Sequence, residues 1–284
     1  MSDPRAPEAD PAALWALRGA LALMTVGIAL HRFVEPDALS GWLYVDLEAA
    51  DEGVANGISA VGAGAFALAG VLLLTPLARP AAVWVAAWIL GLLVVHVVKD
   101  PYWPETGPGA WGVRWLGPIA LFLWLGRDRA GLPAPGVRVE WLLRIGAAAT
   151  FVFHGVKAMG LHLLGPELGQ PNAEYLDFVH TFQVAVGGEA FEQATNVVLL
   201  RAVGGLDIAV AALILFKRCP WVAAWMAFWG LFTAGLRILQ YEETGLARFL
   251  TRAPNGGVPL VLLLLWLRRR RGAGSMADPV TDDR

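Results

Sequence analysis

Trp84-Val85-Ala86-Ala87-Trp88 returns as Trp221-Val222-Ala223-Ala224-Trp225. Three further matches keep the same order. Trp15-Ala16-Leu17-Arg18 returns as Trp141-Leu142-Leu143-Arg144, and Glu105-Thr106-Gly107 as Glu243-Thr244-Gly245. Pro118, before an apolar run ending at Trp124-Leu125, returns as Pro259 before a run ending at Trp266-Leu267. The offsets run from 126 (Trp15 to Trp141) to 141 (Pro118 to Pro259), close to half of the 284 residues. Self-similarity at a long, near-constant period marks a duplicated module. Positions at which the copies differ are then the places to look for specialised function.

The medium in which such a module folds follows from composition. The chain is 57% hydrophobic and 16% charged, with mean hydropathy +0.55. Soluble domains carry about 25% charged residues, so the balance is that of a membrane protein. Thirteen Trp and 32 Gly agree, since Trp favours the membrane interface and Gly is frequent in membrane helices. A net charge of −2 excludes the basic excess that a nucleic-acid partner needs. The four arginines at 268–271 therefore read as a cytoplasmic stop. Cys219 is the single cysteine, which excludes an internal disulfide, a Cys-x-x-Cys redox pair and a Cys-x-x-Cys-His haem attachment. Residues 1–11 are polar and acidic and do not read as a signal peptide. Residues 272–284 read as a disordered tail.

A membrane-spanning helix needs about 20 mostly apolar residues. The first half supplies candidates near 14–33, 55–77, 80–98 and 113–125, and the second near 139–163, 196–216, 220–239 and 257–267. The fourth and eighth are short, and each is expected to recruit residues from its preceding loop. The expected fold is an all-α integral membrane protein whose eight transmembrane helices form two parallel-repeat four-helix bundles. The division is a cytoplasmic tail at 1–12, a first repeat at 13–128, a second at 139–268, and a basic, then disordered, tail at 269–284.

One set of helix ends carries Arg5, Arg79, Arg127, Arg129, Arg138, Lys217 and Arg218 with the arginine run. The other carries two long acidic loops, 36–54 and 164–195. Basic loops stay in the cytoplasm. Both termini are therefore expected to be cytoplasmic, in a bacterial-type inner membrane. Four spans per copy give both copies the same orientation, related by an axis along the membrane normal. Segments 38–52 and 173–193 mix aromatics, aliphatics and acids, which fits either an amphipathic interfacial helix or an ordinary loop. The two Glu-Thr-Gly triplets each follow a span and carry turn chemistry.

Charges within apolar spans are functional candidates, because each costs about 2.5–3.5 kcal/mol on insertion scales. At about 1.5 Å rise per residue, Asp207 sits mid-way along the sixth span and His154 just past the middle of the fifth, at similar depth. Lys157 lies one turn further out on the His154 face. Arg201 and Arg237 fall in the outer third of their spans. The first copy has Ile28 and Ala65 in place of His154 and Asp207, and its polar groups His31, Arg32, His96, Lys99 and Asp100 lie nearer the outer surface. His154 beside Asp207 suits proton handling, with the acid fixing the tautomer. Lys157, Arg201 and Arg237 suit a ligand-binding rim for a quinone headgroup or a small anion. The structural alternative is that Asp207 is neutralised by His154 or Lys157 to fix helix register. Haem or metal ligation fits less well, because no pair among His31, His96, His154, His162 and His180 has i, i+4 spacing; no metal site is assigned.

Leu142-Leu143-Arg144-Ile145-Gly146, followed by Phe151-Val152-Phe153-His154-Gly155-Val156-Lys157, resembles the first helix of the DoxX-like membrane proteins, with its Arg near the start and His-Gly-x-x-Lys near the end. Gly204-Gly205-Leu206-Asp207-Ile208 resembles the acid-bearing second helix, with Asp in place of the usual Glu. The family unit is a four-helix membrane bundle, so the resemblance implies a tandem fusion of two units. It covers the second copy directly, and the first only through the repeat. It also implies redox work at the membrane. One branch supplies membrane subunits of a quinone-linked oxidoreductase, and others are linked to oxidative-stress complexes or to the folding and trafficking of membrane proteins. No motif prescribes a reaction. Three readings stand side by side: a quinone- or redox-associated membrane subunit, a non-catalytic accessory subunit docked to other membrane or periplasmic proteins, and a small-solute transporter.

Overall fold

The computed structural model describes residues 10–35, 37–99, 103–126, 136–161, 171, 173–189 and 191–275. Arg5, Asp100, Arg127, Arg129 and His162, which figure in the sequence analysis, lie outside them. The described residues form helices and no strand. The long helices are α1 (Pro11–Val34), α3 (Glu52–Leu72), α4 (Ala78–Lys99), α7 (Val137–Met159), α9 (Gln193–Phe216), α10 (Pro220–Gly235) and α13 (Ala253–Ser275). Between them lie α2 (Ala38–Gly41), α5 (Trp103–Ala110), α6 (Gly112–Leu125), α8 (Ala173–Ala185), α11 (Arg237–Gln240) and α12 (Gly245–Thr251). A π-helical turn, Trp42–Asp46, continues α2. Seven helices are long and apolar enough to cross a membrane, counting α10 with α11 and α12 with α13. This marks the chain as an all-helical, multi-pass membrane protein.

Local chemistry sets the helix ends. Asp10 caps α1, its carboxylate accepting from the amides of Ala12 (3.0 Å) and Ala13 (3.2 Å), with Pro11 at the first helical position. Asp51 caps α3 through the Val54 amide at 2.9 Å. Gly160 stops α7 in the left-handed region at φ 70°, where a Cβ would be strained. The fifth span thus ends at Met159 and stops short of residue 163. At the other extreme, α13 runs through the arginines at 268–271 to Ser275 instead of stopping near 267. Of the expected eight spans, the fourth is the short one: α6 has 14 residues and follows α5. Helix α13 has 23 residues by itself and follows directly on α12. Glu105-Thr106-Gly107 is helical, within α5, whereas Glu243-Thr244 forms a turn leading into α12, so the shared triplet does not have one conformation.

The packing repeats with the sequence. Helix α1 packs on α3, α12 and α13, while α7 packs on α9, α5 and α6. Helix α4 packs on α3 and α6, and α10 on α9 and α13. Each first helix therefore lies against the short-plus-long pair that closes the opposite half. One continuous core results, running from Leu17, Phe66 and Ile89 through Leu121 to Phe151, Ile214, Met226 and Leu262.

At the basic end this core closes over one acid. Glu140, 1% exposed, accepts from Arg218 (2.7 Å), Arg269 (2.5 Å) and the Trp266 indole (3.0 Å). Arg144 lies 3.9 Å away and donates to the backbone oxygens of Ile214 (2.8 Å) and Leu215 (2.6 Å), capping the last turn of α9.

Helices α7 and α9 approach closely at Gly155 and Gly204. A Cβ on either would stand 2.6 Å from the backbone oxygen of the other. Backbone cannot yield as a side-chain end can, so Gly204→Val should destabilise the protein by about 1–3 kcal/mol. A Cβ at neighbouring Gly205 meets nothing within 4 Å. Thermal unfolding in detergent should show a lowered midpoint for Gly204→Val and no lowering for Gly205→Ala. Equal midpoints would refute the tight contact.

Candidate functional site

The Gly155–Gly204 contact brings the last turns of α7 beside the middle of α9. Next to it, an inner cavity of about 90 Å³ is lined by α7, α8, α9, α10, α11 and the start of α13. Its walls are mostly apolar: Phe151, Phe178, Leu200, Val203 and Trp229. Its polar atoms are few. The Nε2 of His154, one carboxylate oxygen of Asp207 and the side-chain oxygen of Asn255 are buried and have no hydrogen-bond partner among the described residues. Buried polar atoms are normally satisfied, and each unsatisfied one costs about 1–3 kcal/mol. Three such atoms around one cavity point to a ligand or ordered water.

His154 does not bond Asp207. Its Nδ1 is in a short hydrogen bond with the Tyr175 hydroxyl of α8. Either tautomer of that pair leaves Nε2 as the unengaged ring atom. Asp207, 7% exposed, takes a hydrogen bond from Trp229 instead. Asp207 packs beside Gly155, the neighbour of His154, so the two side chains line the same cavity without bonding each other.

Helix α8 forms the lid of the inner cavity, and a second acid holds it in place. The Glu174 carboxylate accepts from Arg237 (2.7 Å) and the Tyr241 hydroxyl (3.2 Å) and faces Arg252 at 3.7 Å. Arg237 also bonds Gln240 at 2.6 Å and lies against the rings of Tyr175, Phe178 and Tyr241. Burial opposes ionisation of Glu174, but Arg237 and Arg252 outweigh it and hold the carboxyl below its ordinary range. Burial, followed by the Glu174 charge, pushes the Tyr175 phenol up, so Tyr175 stays neutral. The far end of α8 is tied down by Gln183, which donates to Asn196 at 2.8 Å and accepts from the Phe191 amide at 3.0 Å.

Beyond His154, Tyr175 and Arg252 lies a larger outer cavity of about 480 Å³, and these three residues line both spaces. Its walls come from both halves: His31 and Arg32 from α1, His96 from α4, Arg114 from α6, Lys157 from α7 and Arg248 from α12.

The structure thus places His154, Asp207 and Arg237 on the inner cavity and Lys157 on the outer one. Arg201 is exposed on α9 and lines neither. Arg237, assigned to a ligand rim from sequence, spends its donors on Glu174 and Gln240. The sequence reading missed Tyr175, Glu174, Trp229, Asn255, Arg114 and Arg252. A signal for the two arginines was available, since each stands nine residues after the glutamate of a Glu-Thr-Gly triplet. Among the described residues no cluster of three or more metal-ligating side chains occurs. Comparison with protein-family models, with curated proteins and with solved structures gives no match to this chain.

The lowered carboxyl of Glu174 has a consequence for stability against pH. Its contribution is full above the unfolded-state value of about 4.3 and is lost as the pH falls from there through the lower folded-state value. Glu174→Gln should therefore unfold at a lower temperature than wild type at pH 7, and the gap should close below about pH 4. A gap independent of pH, measured by thermal unfolding in detergent, would show that the carboxylate charge does not hold α8.

Proposed function

We propose that the inner cavity binds a quinone-class headgroup and that the chain is the quinone-binding, proton-handling membrane subunit of a redox system. The observation that carries this is the set of unpartnered polar atoms, His154 Nε2, Asp207 and Asn255, around a cavity otherwise walled by aromatic and aliphatic groups. A flat ring suits Phe151, Phe178 and Trp229, and a ring carbonyl can accept from His154 Nε2–H, or from Asp207 in its protonated form. Reduction of a quinone to a quinol takes two electrons and two protons. In this reading a partner redox subunit delivers the electrons. His154 passes one proton to the ring, drawing on Tyr175, and Asp207 in its protonated form passes the other.

Purified protein should bind a short-chain quinone saturably, and His154→Ala and Asp207→Asn should each weaken binding about tenfold, the loss expected for one hydrogen bond to a polar or charged group. Quenching of Trp229 fluorescence, isolated by comparison with Trp229→Phe, reports the binding. Absence of saturable binding, together with quinone-free lipid extracts, would end this reading.

The topology we infer with it has eight spans, α5 and α6 together completing the fourth. The two halves are parallel, DoxX-like four-helix units, and the basic ends lie in the cytoplasm. The repeated neighbour pattern of α1 and α7 supports the arrangement, and the positive-inside bias supports the orientation. Cys219, the sole cysteine, sits between α9 and α10 at the basic end. A membrane-impermeant maleimide should leave it unlabelled in intact cells and label it after permeabilisation. A Glu48→Cys change in a Cys219→Ser background should give the reverse. Labelling of Cys219 from outside would invert the orientation.

A further inference from the structure

The outer cavity is lined by more cations than acids. Arg32, Arg114, Lys157, Arg248 and Arg252 line it against two acids, Asp37 and Glu174. Most of these cations are engaged. Arg32 bonds Ser59 and Asn56 and faces Asp37 at 3.7 Å. Arg248 faces Glu35 at 3.4 Å and Arg252 faces Glu174 at 3.7 Å. Arg114 stands apart. It is 5% exposed, its Nε has no partner among the described residues, and its guanidinium lies over the Trp111 ring at 4.9 Å. Its charged neighbours are Arg252, which repels it, and Glu174, whose carboxylate is already bonded to Arg237 and faces Arg252.

An uncompensated guanidinium in a buried, apolar setting costs several kcal/mol. Arg252, which stands at the equivalent distance from the second Glu-Thr-Gly triplet, lines the same cavity and adds to that cost. A bound anion removes it. The geometry points to a site for a phosphate-type oxyanion at the junction of the halves, clamped between Arg114 and Arg252 with Lys157 on the same wall. The number of donors favours this class over a carboxylate. A guanidinium offers five N–H groups in a planar fork, and two guanidiniums exceed what two carboxylate oxygens accept, whereas a tetrahedral oxyanion presents more acceptors. The phosphate can come free from the aqueous side or as the headgroup of an anionic phospholipid. The site adjoins the proposed quinone site through Arg252, which lines both cavities, but Arg114 and Lys157 line the outer cavity alone and Asp207 and Asn255 the inner one alone.

The test uses the full chain in chloride buffer. Titration calorimetry with inorganic phosphate should show saturable binding, weakened at least tenfold in Arg114→Gln and unchanged in Arg201→Gln, an exposed control. In a parallel arm, protein from phosphatidylcholine nanodiscs with and without phosphatidylglycerol is analysed by native mass spectrometry for retained lipid. Phosphate binding that needs Arg114 assigns the free anion. Retained phosphatidylglycerol that Arg114→Gln loses, without phosphate binding, assigns the lipid headgroup. Wild-type protein that takes up neither overturns the proposal, as does equal uptake by Arg114→Gln. If Arg114→Gln fails to fold, Arg114→Lys replaces it. That variant keeps the charge and loses the fork, so severalfold weakening is expected and unchanged affinity overturns the proposal. Asp207→Asn should leave this binding intact while impairing quinone binding, so the two readings fail separately.

Discussion

The arrangement of this protein depends on the expense of charge in an apolar interior. Almost every buried cation is gathered around an acid, and one acid serves each end of the second half. At the basic end Glu140 holds Arg218 and Arg269, with Arg144 alongside turned to the final carbonyls of α9. At the acidic end Glu174 holds Arg237 and faces Arg252, which seats α8 across the bundle. Between the two lie helices that touch at Gly155 and Gly204 with no side chain separating them. A pinned frame of this kind keeps the unsatisfied atoms of His154 and Asp207 from relaxing toward partners of their own, which is the preorganisation a binding site requires.

The parts of this design that depend on local sequence were legible before any coordinates. Apolar runs and their flanking caps place the long helices, because periodicity and capping act over a few residues. A rise per residue puts His154 and Asp207 at similar depth, and both line the inner cavity. Other features depend on tertiary contacts and leave no local trace. Segment 173–193 fits a loop or an interfacial helix equally well on composition, and only its contacts with Arg237, Gln240 and Tyr241 make it a lid. The partner of His154 is Tyr175, 21 residues along the chain and on a different helix. Arg114 and Arg252 belong to a third class. Their spacing from Glu-Thr-Gly is readable, but they fall at the fringes of the spans, where a hydropathy argument discounts charge as snorkelling.

The repeat also explains which residues diverge. Helices α1 and α7 occupy equivalent neighbourhoods, yet one presents Ile28 and the other His154 to the outer cavity. In the inner cavity, every wall belongs to the second half. The first half contributes arginine and histidine side chains to the shared space without building a polar pocket of its own.

That division follows from joining the halves in one chain. A homodimer of a single four-helix unit must place identical residues on both sides of its axis, so a histidine gained on one side is gained on both. Fusion removes that obligation away from the axis. Arg114 and Arg252 line one common space between the two halves, so a change to either arginine alters a surface that both halves share. The junction is thus the position where the duplicated chain remains constrained as a dimer would be, while its flanks are free to become two different proteins.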